Sequence, residues 1–67
     1  MGVCEVLKDL RRERGLTQEQ VAGILHIRRQ VYARYEQGTR DLPVRHLKAL
    51  CQFYRVSADD VLGLSHR

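Results

Sequence analysis

A sequence of 67 residues is expected to fold as one domain, spanning 1–67, around a small hydrophobic core. Its composition, 43% hydrophobic and 30% charged, excludes a disordered segment and is typical of a globular domain. The formal net charge of +4 and the pI of about 9.6 favour a polyanionic partner such as nucleic acid, although a soluble protein with an ordinary basic surface has the same composition.

The sequence lacks the signatures of a secreted, membrane-spanning or catalytic protein. Cys4 and Cys51 are too few for a disulfide scaffold, so we expect both to be reduced and partly buried in a cytoplasmic protein. No apolar run is long enough for a signal peptide or a membrane span. The histidines share no metal-ligand spacing, and no nucleophile has a base beside it in a recognisable pattern. We therefore expect no enzymatic activity, no metal and no cofactor.

The first predicted helix spans about residues 3–14. Its apolar stripe runs through Val3, then Val6 or Leu7, then Leu10, at the spacing of one helix face. Gly15 is expected to end this helix, and Leu16 to turn inward after it.

The second and third predicted helices are joined by a very short turn, within residues 17–38. Thr17 and Gln20 form a capping box, which marks the start of the second helix. The break at His26 and Ile27 ends this helix. A third helix is then predicted from residue 28 to residue 37, and Gly38 suits its C-terminal cap.

The third helix has a distinctive polar face. At about 100° per residue, Tyr32 and Tyr35 point to one side. The opposite side carries two arginines, two glutamines and a small alanine, with no carboxylate among them: Arg29, Gln30, Ala33, Arg34 and Gln37. Arginine and glutamine are the side chains that pair with guanine and adenine edges in the major groove. We therefore expect Arg29, Gln30 and Arg34 to contact base edges and Ala33 to pack against a thymine methyl group.

The rest of the chain is predicted to complete an all-α domain of five short helices. Pro43 suits the first turn of a fourth helix, whose inward stripe is Val44, Leu47, Leu50 or Cys51, and Tyr54, with His46 facing solvent. Ser57 and Asp60 suggest a cap for a brief fifth helix at about 58–62, followed by a frayed tail at 65–67. The expected core is Leu7, Leu10, Leu16, Val21, Leu25, Ile27, Tyr32, Tyr35, Leu47, Leu50, Val56, Val61 and Leu62.

The segment of residues 6–64 resembles the Cro/cI-type (XRE-like) helix-turn-helix family of phage and bacterial repressors. The matching residues are Leu10, Arg11, Gly15, Leu16, Thr17, Gln18, Val21, Ala22, Leu25, Ile27, Arg34, Tyr35, Glu36, Gly38, Val56, Ser57, Val61, Leu62 and Gly63. The resemblance implies a phage-repressor-like fold in which the third helix enters the major groove of duplex DNA.

The resemblance also implies roles for residues outside that polar face. Gln18 is expected to bond a DNA phosphate, and Arg11 to pair with Glu36 and so clamp the third helix onto the first. Arg28, Thr39 and Arg40 flank the third helix and are expected to contact phosphates, which fix register without reading sequence.

Two positions depart from the family pattern. The turn between the second and third helices usually has glycine where this chain has His26, which strains the backbone if the position needs a positive φ. The cap of the third helix is usually serine or threonine, whereas here it is Arg28, which removes a side-chain acceptor.

These features predict a sequence-specific, double-stranded DNA-binding transcriptional regulator, expected to be a repressor that binds a palindromic operator as a homodimer. The alternative is a protein-interaction module of the same fold, such as an antitoxin or an accessory factor of a partner protein. The basic, carboxylate-free face of the third helix argues against the alternative. RNA binding is disfavoured because Tyr32 and Tyr35 are predicted to point inward, which leaves no exposed aromatic residues to stack on bases.

Overall fold

The computed structural model describes residues 2–57 and residue 61, and this part of the chain contains four α-helices. They are α1 (Val3–Glu13), α2 (Gln18–Ile24), α3 (Arg29–Gln37) and α4 (Val44–Tyr54). The predicted fifth helix and the predicted tail lie outside the described residues, except for Val61. Val61 is helical and buried, and its amide donates to the carbonyl of Ser57 at 3.3 Å. The described residues contain no helix with the length and apolarity that a bilayer crossing requires.

The predicted start of α2 is confirmed in detail. The Gln20 amide donates to the Thr17 hydroxyl at 3.1 Å, and the Thr17 amide donates to the Gln20 side-chain oxygen at 2.8 Å. These reciprocal bonds form the complete capping box, which satisfies two backbone donors that the helix itself leaves open.

The turn between α2 and α3 has a backbone conformation that is unfavourable for the residue at its centre, His26. His26 has φ 58°, in the left-handed region that glycine adopts most easily. The Ile27 amide donates to the Ala22 carbonyl at 3.0 Å and closes the turn. Arg28 is the N-cap of α3, as expected, so the helix itself begins at Arg29, and the Arg28 side chain makes no capping bond. At the other end, Gly38 caps α3 with φ 79°, as expected.

The core lies between the four helices and contains most of the predicted residues. The buried apolar side chains are Leu7, Val21, Ala22, Leu25, Tyr32, Tyr35, Leu50, Tyr54 and Val61. Five predicted members are half-buried against this cluster: Leu10, Leu16, Ile27, Leu47 and Val56. Leu62 lies outside the described residues.

The orientation predicted for α4 is wrong at two positions. His46, predicted to face solvent, is only 9% exposed, whereas Val44, predicted to face inward, is 66% exposed. The buried stripe of α4 runs through His46, Leu50 and Tyr54, which are four residues apart and therefore share one helix face. The His46 ring packs beside the ring of Tyr35, with 6.1 Å between their centroids, and this aromatic contact encloses a side chain that the sequence placed outside.

A contact from Arg14 joins the C-terminal ends of α1 and α4. Its guanidinium donates to the backbone carbonyl of Tyr54 at 2.7 Å and lies 5.5 Å from the centre of the Tyr54 ring. Carbonyls in the last turn of a helix have no partner within the helix, so this bond satisfies one of them. It also links the C-terminal ends of α1 and α4.

Candidate nucleic-acid interface

The outer face of α3 is polar, cationic and free of carboxylates. Arg29, Gln30, Arg34 and Gln37 are exposed, and Ala33 is half-buried between them. The one acidic residue of α3, Glu36, is turned inward and is only 2% exposed. The structure therefore presents the expected base-contacting side chains on a single solvent-facing surface, which we call the α3 polar face.

The residues expected to contact phosphates surround this face. Arg28 precedes it, and Thr39 and Arg40 follow it in the loop after Gly38; all three are exposed. The Thr39 hydroxyl donates to the Arg34 carbonyl at 3.4 Å, and the Thr39 amide donates to the same carbonyl at 3.1 Å. Thr39 therefore closes the C-terminal end of α3.

Gln18 lies in an open groove that the start of α2 shares with the first residue of α3. The groove is lined by Arg11, Leu16, Thr17, Gln18, Glu19 and Arg29. Gln18 is half-buried, and its carboxamide nitrogen donates to Oε1 of Glu36 at 3.1 Å. The sequence reasoning missed this bond because Gln18 and Glu36 are 18 residues apart and no short-range pattern joins them.

The ion pair implied by the resemblance is present between α1 and α3. Arg11 Nε lies 2.7 Å from Oε2 of Glu36, and Nη2 donates to Oε1 at 3.2 Å. The two side chains are 14% and 2% exposed. Arg11 Nη1 also donates to the Leu16 carbonyl at 2.9 Å, so one guanidinium joins α1, the chain before α2, and α3.

The electrostatics of this site favour the charged forms of both partners. Burial of Glu36 favours its neutral form, but the donors around the carboxylate and the charge of Arg11 outweigh that cost and lower its pKa below the ordinary value of 4.5. The hydrogen bond to Glu36 likewise raises the pKa of Arg11. The pair therefore stays ionised at neutral pH.

Two buried tyrosines border this ion pair. The hydroxyl oxygens of Tyr32 and Tyr54 have no hydrogen-bond partner among the residues that the structure describes. Burial raises the pKa of Tyr32, and the neighbouring Glu36 carboxylate raises it further. Both hydroxyls are therefore protonated at neutral pH. Helical spacing predicted Tyr32 in the core and Tyr54 on the inward stripe of the fourth helix, but it does not show what each hydroxyl oxygen contacts.

A second groove lies at the C-terminal end of α3, with a volume of about 410 Å³. It is lined by Val3, Cys4, Tyr35, Gly38, Arg40, Asp41, Leu42 and Leu47. Asp41 lies beside Arg40 in this groove and reduces the positive field there. Within the described residues, no group of three histidine, cysteine or acidic side chains is placed to hold a metal ion.

Comparison with known proteins assigns the family. A helix-turn-helix family model matches residues 7–61, which is most of the chain. The chain belongs to the Cro/cI-type (XRE-like) helix-turn-helix family. The matched segment contains the capping box, the turn, the α3 polar face and the Arg11–Glu36 pair of this helix-turn-helix domain.

Three curated relatives resemble this helix-turn-helix chain. An uncharacterized HTH-type transcriptional regulator of Bacillus subtilis, YobD, is 37% identical over 92% of the chain and 55% of its own length. The antitoxin PezA of Streptococcus pneumoniae is 37% identical over 85% of the chain and 36% of its own length. The cryptic phage CTXphi transcriptional repressor RstR of Vibrio cholerae is 38% identical over 85% of the chain and 51% of its own length.

A solved structure agrees with the fold of this helix-turn-helix domain. The crystal structure of a transcriptional regulator from Listeria innocua superposes with a TM-score of 0.87 at 28% identity, covering 91% of the chain and 57% of that protein. The all-α helix-turn-helix prediction is thereby confirmed. The chain spans about half the length of the regulators that it matches, or less.

Proposed function

We propose that the chain is a sequence-specific, double-stranded DNA-binding transcriptional regulator that acts as a repressor. The observation that carries this proposal is the α3 polar face. It exposes Arg29, Gln30 and Arg34 together while the only carboxylate of the helix is buried. A helix without outward carboxylates can approach a polyanion without like-charge repulsion.

In this proposal α3 enters the major groove by its N-terminal end. Arg29 and Gln30 lie in its first turn and pair with guanine and adenine edges, and Arg34 follows one turn later. Ala33 packs against a thymine methyl group. Its small side chain and half-buried position allow the helix backbone to approach the groove floor.

Contacts to the DNA backbone fix the register of this helix. Gln18 and Arg28 bind phosphate on the N-terminal side of α3, and Thr39 and Arg40 bind phosphate on the C-terminal side. Arg11 and Glu36 form the structural clamp, because their buried ion pair holds α3 at a fixed position on α1.

The binding unit is proposed to be a homodimer on a palindromic operator, in the cytoplasm. A single module of this size buries only about 600–1,000 Å² on DNA, which gives limited specificity. Two copies related by a two-fold axis would read half-sites about one helical turn apart.

The test is selection of bound DNA from a random-sequence duplex pool by the purified chain at two salt concentrations. The proposal predicts enrichment of an inverted repeat whose half-sites are separated by about one turn of DNA. Binding that disappears at the higher salt concentration and enriches no sequence would contradict it.

The similarity to PezA supports one second candidate, a protein-interaction module that neutralises or recruits a partner protein. The α3 polar face would then be a secondary DNA-binding surface or would not bind DNA. Selection without an enriched sequence, combined with a stable complex between this chain and a protein encoded next to it, would favour this candidate over the repressor.

A further inference from the structure

Two side chains with different proposed roles, Arg11 and Gln18, donate hydrogen bonds to the carboxylate of Glu36. Its Oε2 accepts from Arg11, and its Oε1 accepts both from Arg11 at 3.2 Å and from Gln18 at 3.1 Å. Glu36 belongs to α3, whereas Gln18 is the first residue of α2. One buried carboxylate therefore holds both the helix proposed to read base pairs and the side chain proposed to bind a phosphate.

Gln18 can donate a second hydrogen bond while it is bonded to Glu36. A carboxamide nitrogen has two N–H donors, and Glu36 takes one of them. The other remains on a half-buried side chain in the groove that Arg29 also lines. The bond to a buried acceptor restricts the rotation of the carboxamide, and so restricts the directions in which the second N–H can point.

We propose that Glu36 is a positioning residue for DNA binding, which orients the Gln18 carboxamide so that its second N–H meets a phosphate oxygen of DNA. The inference rests on the proposed function, in which Gln18 binds a phosphate, and it adds that Glu36 orients the side chain that makes this contact. In consequence, one carboxylate determines both the orientation of the side chain that contacts the phosphate and the position of α3. Any change that displaces the Glu36 carboxylate weakens both contacts together.

The number of donors around Glu36 supports this role over a purely structural one. Glu36 has more donors than the clamp requires, since Arg11 alone supplies two bonds to it. An exposed glutamine loses side-chain conformational freedom when it binds a phosphate, which costs free energy. Holding Gln18 in place before DNA arrives removes part of that cost from binding.

The test is a double-mutant cycle measured as affinity for the selected operator. Glu36→Asp keeps the negative charge but withdraws the carboxylate by roughly one bond length, about 1.5 Å. Gln18→Met keeps the length of the side chain and removes its donors. We expect Glu36→Asp to weaken binding about two- to tenfold in the wild-type background, the range of one hydrogen bond, and to weaken it by a clearly smaller factor when residue 18 is already changed.

An equal loss from Glu36→Asp in both backgrounds would overturn the inference, because Glu36 would then act only through the placement of α3. Failure of the wild-type chain to bind any duplex would be a different result, since it would remove the proposed function itself.

A second measurement on the unchanged protein covers the case in which Glu36→Asp fails to fold. Exchange of the side-chain amide protons of Gln18 with water, followed by NMR without DNA, should be slower than that of the exposed Gln30 and Gln52. Equal exchange at the three side chains would show that Gln18 is not held, and would overturn the inference.

Discussion

Arg11 and Glu36 form a buried ion pair that joins the first helix to the third, with 2.7 Å between Nε and Oε2. Glu36 is almost fully removed from water and Arg11 largely so, and each charge therefore depends on the other for compensation. The pair joins α1 to the helix that carries the α3 polar face. The position of the face on the domain therefore depends on a contact that is not itself part of the exposed surface.

Replacement of Glu36 is expected to destabilise the fold as well as DNA binding. Glu36→Ala leaves the Arg11 charge partly buried and unpaired, which should lower the free energy of unfolding by about 3 kcal/mol. Urea denaturation followed by circular dichroism measures this loss. Glu19→Ala, which removes an exposed carboxylate from α2, is the matched control and should change the stability little. A wild-type unfolding midpoint in Glu36→Ala would show that the pair contributes nothing to stability.

His46 should make stability depend on pH near neutrality. Burial, followed by the nearby positive charge of Arg45, lowers the pKa of His46 below its ordinary value of 6.5 in the folded state. As the pH falls through 6.5, the unfolded chain therefore takes up a proton before the folded chain does, and the free energy of unfolding decreases. His46→Phe keeps an aromatic ring beside Tyr35 but cannot titrate.

Thermal unfolding between pH 7.5 and 5.5 tests this dependence. The decrease in stability should be smaller in His46→Phe than in the wild-type chain. Gln52→Ala, which changes an exposed side chain of the same helix that does not titrate, serves as the control and should keep the wild-type slope. Equal slopes in His46→Phe and wild type would contradict the assignment.

The turn between α2 and α3 should be improved by two substitutions. His26→Gly relieves a left-handed backbone conformation, and Arg28→Ser supplies the side-chain acceptor that the N-cap of α3 lacks. Each is expected to raise the free energy of unfolding by about 1 kcal/mol. Chemical denaturation is the measurement, with Arg40→Ser in an exposed loop as the control. If both variants were less stable than the wild-type chain, neither the left-handed backbone at His26 nor the missing side-chain cap at Arg28 would be lowering the stability of the fold.

Arg40 should contribute one phosphate contact to each protomer. Arg40→Ala is expected to reduce the slope of log affinity against log salt concentration by about 0.9 per protomer. Fluorescence anisotropy with labelled duplex at several salt concentrations measures the slope. Arg12→Ala removes an exposed charge from α1 and is the matched control. A slope that Arg40→Ala leaves unchanged would remove Arg40 from the phosphate contacts.

The features that the sequence predicted correctly depend on residues that lie close together along the chain. Thr17 and Gln20 located the start of α2 because a capping box depends on two residues three apart. Helical spacing placed Tyr32 and Tyr35 inward and the arginines of α3 outward. It also showed that the α2–α3 turn falls at His26, where the positive φ is now observed.

Tertiary contacts decided the features that the sequence did not predict. His46 is buried because Tyr35, which belongs to another helix, covers its ring. The bond from Gln18 to Glu36 depends on how α2 packs against α3, and that packing is not encoded by the spacing within either helix. The role of Arg11 came from family resemblance, since its position at the edge of the apolar stripe of α1 is equally compatible with solvent exposure.

The proposal that the α3 polar face reads base pairs is tested most directly by measuring binding to single-base variants of the selected operator. Affinities would be measured for the wild-type chain, Arg29→Ala and Gln30→Ala on each variant. We expect each substitution to cost about 1–3 kcal/mol on the operator and to abolish discrimination at one base position while leaving the others intact. A uniform loss across all operator variants would contradict the claim, because it would make Arg29 and Gln30 backbone contacts.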